Sequence, residues 1–193
     1  MADARRKILE ASIELVAEQG VRAVSFREAA RRAGVSHQTP YHHFGDHRGI
    51  LAAIAHEGFA ALADAMAEAA SAHDDALGAL TASGVAYVAF ASHHVGHFRV
   101  MFQQPLEADA DASALAEAER TYRLLARLAG AAVEAGHGRG LAPERVASLC
   151  WSTVHGLATL LVEGILAHDA TASAASREHA ARDVVDSLAT LLR

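Results

Sequence analysis

Residues 25–44, SFREAARRAGVSHQTPYHHF, set three arginines, a run of hydroxyl and amide side chains, and a knot of histidine and tyrosine in one short cassette. Arg27, Arg31 and Arg32 are fixed cations that can meet phosphates. Ser36, His37, Gln38, Thr39, Tyr41 and His42 are short or planar groups that can reach base edges or phosphate oxygens in a DNA major groove. The chain has no nucleophile elbow, no phosphate-cradling glycine loop and no HExxH pair, and its histidines are dispersed, so an enzyme is not expected.

That chemistry works only if the cassette is folded to present it. Ser25 followed by Glu28 is a capping box, which starts a short helix at Phe26. Gly34 breaks that helix, and Ser36 is expected to cap a third helix running through His43. Pro40 would then stand in the fourth position of that helix, losing a hydrogen bond and crowding the Ser36 carbonyl. Ala29, Ala30, Ala33 and Val35 are small enough for the two helices to cross closely. Asp3 can cap a first helix with Ile8, Ala11, Ser12, Leu15 and Val16 on one face, ending at Gly20. A braced pair of short helices is a helix-turn-helix, and its third helix would read DNA. Helical corners without DNA affinity share that outline, and a helical small-molecule or metal-binding module remains the alternative.

Charge supports the first reading. The chain is net −6, but residues 1–50 hold eight Lys/Arg against six Asp/Glu, and residues 51–193 hold nine against seventeen. A mildly basic head on an acidic body restricts polyanion binding to the head. Asp46 should cap a fourth helix carrying Leu51, Ile54, Gly58, Leu62 and Met66. Helices near 75–93 and 95–103 follow, with Gln104-Pro105 closing the pair. Further helices are expected over 111–134, from Pro143 to about Leu166, and from Ser176 to the end. The expectation is an all-α chain of about nine helices, divided into residues 1–50 and 51–193. No uninterrupted apolar stretch is read as long enough to span a bilayer, and no secretory signal is visible near Met1. Cys150 is the single cysteine, which suits a reducing, cytoplasmic setting.

Residues 5–54 resemble the N-terminal domain of the TetR family of bacterial transcriptional regulators. The matching features are Ile8-Leu9 with Ala11, Gly20, Ser25-Phe26, Ala30, Ala33-Gly34-Val35-Ser36, Tyr41 with Phe44, and Leu51. Tyr87, Phe90, Phe98, Met101 and Phe102, followed by Trp151-x-x-x-His155-Gly156, resemble the branch named for a Trp-His-Gly motif. The resemblance implies a homodimeric regulator, probing a palindromic DNA operator with one helix-turn-helix per subunit, and a C-terminal domain that dimerises and binds a small-molecule effector. It implies no cofactor and no membrane. With the residue chemistry it nominates Arg5, Arg6, Ser25, Arg27, Ser36, His37, Gln38, Thr39, Tyr41, His42 and His47 for DNA. His47 stands where the family usually has a lysine, so one backbone contact lacks a fixed charge.

In the body, Tyr87, Phe90, His94, Phe98, Met101, Phe102, Tyr122, Trp151 and His155 are candidates to line an effector cavity, and equally describe a packed core. Val146, Thr153, Leu157, Leu160 and Gly164, with Val184, Leu188 and Leu191 of the last helix, are the expected dimer face, a two-fold four-helix interface. His93 and His97 have i, i+4 spacing that can suit a metal, but Gly96 interrupts them and no acid or thiol is close in sequence, so no metal site is expected.

Overall fold

Caps written into the sequence set most of the helix starts. In the computed structural model, which describes residues 2–103, 112–166 and 174–193, α1 spans Ala2–Gln19 and α2 Phe26–Ala33, with a single 3-10 turn at Val21–Ala23 between them. The Ser25 hydroxyl accepts from the Glu28 amide at 3.2 Å, as the capping box requires. After α3 (Thr39–Phe44), the Asp46 carboxylate accepts from the Gly49 amide at 2.9 Å and opens α4 (His47–Ser71). Asp75 does the same for α5 (Ala76–His93), through the Gly78 amide at 2.6 Å. Then come α6 (Val95–Gln103), α7 (Ala112–Glu134), α8 (Pro143–Val162) and α9 (Ala174–Leu192). Among the described residues the chain is all-helical, with nine α-helices and no strand. The expected stop at Gln104-Pro105 and the start at Asp111 lie outside the described residues.

The third helix corrects its expectation. It begins at Thr39, not after Ser36, so Pro40 falls in the first turn, where a missing N–H costs nothing. Residues 36–39 form a turn instead: the Thr39 amide donates to the Ser36 carbonyl at 3.0 Å, and the two hydroxyls meet at 2.8 Å.

By packing, the chain divides into one unit of Met1–Ala60 with His94–Ala118 and a second of Ala61–His93 with Glu119–Arg193. In the first, Ile8, Leu15 and Val16 of α1 are wholly buried with Ile50 and Ile54 of α4. The Arg99 guanidinium of α6 donates to the Val16 and Ala17 carbonyls at 3.4 and 2.9 Å, satisfying the C-terminal end of α1. The N-terminal turn of α6 lies so close to α1 that a Cβ at Gly96 would fall on the Ile13 carbonyl oxygen. Gly96→Ala is therefore expected to destabilise the fold by roughly 1–3 kcal/mol, read as a lower urea midpoint.

In the second unit, α5 packs on α8 and α9. Its core includes Leu77, Leu80, Leu125, Val146, Cys150, Leu188 and Leu192. Burial pushes the Cys150 thiol up to about 11, so it stays protonated and serves as packing. Its neighbours Leu149 and Trp151 are 41 % and 40 % exposed.

One exclusion also changes. Three helices, α4, α5 and α8, are long and apolar enough to cross a membrane by length and composition, with mean hydropathy of 1.4, 1.2 and 1.2 over their best windows. Alanine is the reason: it raises hydropathy without forming an unbroken run of large apolar residues. Half of the α4 window and about a third of the α8 window are buried inside the protein (50 % and 33 %).

Candidate nucleic-acid interface and effector site

The reading head is built from α2, a left-handed glycine and α3. Gly34 closes α2 at φ 67°, with its amide on Arg31 and the Val35 amide on the Ala30 carbonyl at 3.0 Å. A side chain would be strained there, and the reversal is what turns the chain toward α3. On α3, Pro40 and Phe44 point inward and are buried, leaving Tyr41 and His42 outward beside exposed Ser36, His37 and Gln38. Tyr41 keeps 54 % of its surface exposed while its ring meets Phe26 edge-on, 4.8 Å between centroids. The ring is thereby held and its hydroxyl left outside. The Arg5 guanidinium lies over the Phe44 ring at 5.1 Å, a cation–π contact joining α1 to α3.

The arginines divide into two groups. Arg31 grips Glu28 with a fork of two hydrogen bonds, 2.8 and 2.6 Å. Arg32, only 20 % exposed, forks onto Glu18 of α1 at 3.0 and 2.7 Å and also reaches Glu28 at 3.3 Å. The Arg31 hydrogen bonds, followed by those of Arg32, hold the Glu28 carboxyl down at about 2. That contribution is present above the ordinary carboxylate range and fades only as pH falls toward 2, so the network is intact near neutrality. In the structure Arg31 and Arg32 brace α2 through these carboxylates, which a phosphate would have to compete with. Arg6 is likewise engaged, by Glu10 at 2.7 Å and by Glu57 of α4 at 2.6 Å. Arg27 and His47 stay exposed, the latter as the first residue of α4, while Ser25 is occupied as a cap.

The effector candidates separate between the units. Phe98 and Met101 are buried in the N-terminal unit, where the Phe102 ring meets Phe98 tilted and Phe59 edge-on, at 5.1 and 5.4 Å between centroids, and His94 lies 5.8 Å from His97. In the C-terminal unit Phe90 is buried, and four others assemble. The Tyr87 hydroxyl and His155 Nδ1 are 2.8 Å apart; Trp151 lies 6.3 Å from His155 and 6.0 Å from Tyr122, between ring centroids. Burial drives the Tyr87 phenol far above its ordinary range and lowers the His155 imidazole, so both are neutral at physiological pH. With the phenol protonated, its hydroxyl can donate to His155 Nδ1, the arrangement that puts the imidazole's own proton on Nε2. Such a relay presents a neutral, oriented donor.

The expected dimer face is corrected in part. Val146, Leu157 and Leu188 are 1 %, 7 % and 8 % exposed within a single chain, so they fill its own core. Gly164 lies beyond the end of α8, at φ 71°. Leu160, Val184 and Leu191 do remain exposed, and Thr153 is half-buried. Leu149, missed in the sequence, joins them; its eleven-residue spacing from Leu160 was the available signal. Among the described residues, no group of three or more His, Cys, Asp or Glu is arranged to hold a metal. His93 donates instead to the Ala89 carbonyl at 2.8 Å, and His97 to Glu57 at 3.1 Å.

Two family models match the chain. Residues 8–54 match the bacterial regulatory proteins of the tetR family, and residues 80–184 match the tetracyclin repressor-like C-terminal domain. A solved protein of unknown function from Rhodococcus sp. RHA1 is similar at 28 % identity and TM-score 0.80, over 98 % of this chain and 95 % of that one. The TetR family transcriptional regulator PfmR from Thermus thermophilus is similar at 23 % identity and TM-score 0.76, over 95 % and 97 % of the two chains. The transcriptional regulator FadR from Bacillus subtilis, solved in complex with stearoyl-CoA, shares the fold at 16 % identity and TM-score 0.77, over 97 % and 99 %. No curated protein matched the chain. Its reading head and its C-terminal domain thus agree, and the chain belongs to the TetR family of bacterial regulatory proteins.

Proposed function

We propose that this chain is a cytoplasmic, non-catalytic repressor that binds a palindromic operator as a homodimer and releases it when a small molecule occupies the C-terminal domain. The observation that carries this reading is the exposed, polar outer side of α3 and the turn before it, anchored from behind by buried Pro40 and Phe44. Gln38 and Tyr41 are the base-edge readers, with Arg27, His47 and the hydroxyls of Ser36 and Thr39 on phosphates. Two such heads enter successive major grooves about 34–36 Å apart or a multiple of that distance.

The Tyr87–His155 pair, with the Trp151 ring beside it, is the polar feature an effector would meet in the C-terminal unit, and the stearoyl-CoA bound to FadR supports a small-molecule role for that domain. No cofactor and no membrane enter this scheme. α4 is one continuous helix with its first residues in the N-terminal unit and its last in the C-terminal unit, so its rotation would carry the effector's signal.

Selection of genomic fragments by the purified protein, followed by footprinting, tests the scheme. A protected palindrome is expected. A folded dimer that enriches no fragment at low salt would overturn it. His47→Lys supplies the missing fixed charge and is expected to tighten operator binding and steepen the slope of log affinity against log salt by about one.

A further inference from the structure

The C-terminal half is acidic overall, yet three of its nine basic residues stand on two turns of one helix. Arg120, Arg123 and Arg127 wall a cleft of about 310 Å³ between α4 and α7, floored by Ala63, Ala67 and Leu124. Spacings of three and four residues keep the arginines on one face, and a rise of 1.5 Å per residue spreads them over about 10 Å. On the α4 side the floor is two methyl groups, Ala63 and Ala67, one turn apart.

The electrostatics are unbalanced within the cleft. The Asp64 carboxylate accepts from both terminal nitrogens of Arg120 at 2.9 Å, so one oxyanion already sits at that end. Arg123 meets Glu119 only loosely, at 3.9 Å with both side chains 67 % exposed, and Arg127 has no ion-pair partner among the described residues. Two guanidinium forks are left for an incoming anion. A solvated basic helix face would explain the charges alone. It would not explain why they border a cleft of ligand size with an apolar floor.

We propose that this cleft is a second small-molecule site, taking an organic diphosphate. Its two phosphoryl groups engage Arg123 and Arg127, and its flat or aliphatic body lies on Ala67 and Leu124. Arg123 and Arg127 stand one turn apart, about 6 Å along the axis, and guanidinium forks match phosphate oxygens in pairs, so each phosphoryl group takes one fork. The site shares no residue with the Tyr87–His155 relay and does not depend on operator reading.

Calorimetric titration of the full-length protein at low salt with ADP and with inorganic pyrophosphate tests it. Saturable binding of one ADP per chain is expected, with pyrophosphate competing. Arg123→Gln/Arg127→Gln, at exposed positions, should keep the helical circular dichroism and weaken ADP at least about tenfold. Ala67→Leu, also exposed, should weaken ADP more than pyrophosphate because it narrows only the floor. Absence of saturable ADP binding, or equal ADP affinity in the wild-type and the double-glutamine protein, would overturn the proposal. An ADP affinity untouched by Ala67→Leu would overturn it as well.

Discussion

Gln38→Ala is expected to lower operator affinity by roughly one to two orders of magnitude while leaving the fold and the oligomeric state unchanged. Gln38 stands at the start of α3, exposed, and its amide makes only a long contact with His37, at 3.4 Å. Deleting it removes no buried surface and no cap, since its side chain makes no capping hydrogen bond. What it removes is a planar donor–acceptor pair of the kind that reads adenine in the major groove. Because a base contact carries no counterion release, non-specific binding and the salt slope should stay put, unlike the response to His47→Lys. Tyr41→Phe is the companion, keeping the edge-on ring contact with Phe26 and losing only the hydroxyl. Fluorescence anisotropy over a salt series, with thermal melts and sedimentation as controls, separates these effects. Unaltered operator affinity in both Gln38→Ala and Tyr41→Phe would remove this segment from base reading and favour a helical module that does not use this head on DNA.

Much of the fold is legible in the sequence because its helix starts are chemical. Ser25, Asp46, Asp75 and Pro143 each mark a start that needs no tertiary information, and the structure places helices at each. The start of α3 is misplaced when Ser36 is given the cap and Pro40 is accepted as strained in the fourth position. A proline tolerates only the first helical turn, so the helix begins later and a hydroxyl-bridged turn takes up the slack.

Charge is legible as a total but not as a pattern of pairs. Arg32 finds Glu18 fourteen residues away, and Arg6 finds Glu57 fifty-one residues away. Such partners depend on how α1 crosses α2 and α4, which helical periodicity does not reveal. The proposed dimer face is hidden for a related reason. α8 is apolar around most of its circumference, so projection cannot say which side its own chain will cover. Val146 and Leu149, Leu157 and Leu160, and Leu188 and Leu191 are pairs three residues apart, separated by only about 60° around the helix. In each pair the first is buried and the second exposed.

Leu160→Glu/Leu191→Glu is accordingly expected to split the proposed homodimer and, with it, operator binding. Leu149 and Leu160 share one face of α8 to within about 20°, as do Val184 and Leu191 on α9, and these two helices pack against one another. The four are 41 %, 36 %, 38 % and 65 % exposed, an apolar surface on adjoining helices that a second copy would cover by two-fold symmetry. Burying a leucine there is worth about 1.5–3 kcal/mol, and a glutamate must instead be desolvated, so two substitutions repeated across the axis should leave monomers at micromolar concentration. The reading heads would then bind half-sites singly, losing an avidity of roughly 10²–10⁴-fold. Sedimentation velocity and anisotropy on the same sample read both losses. Leu188→Glu makes the contrast: with its side chain inside the chain's own core, it should lower the thermal midpoint sharply instead of yielding a folded monomer. A dimer that survives Leu160→Glu/Leu191→Glu would place the interface on another face. A folded monomer that still protects a full palindrome would remove the need for a dimer in operator reading.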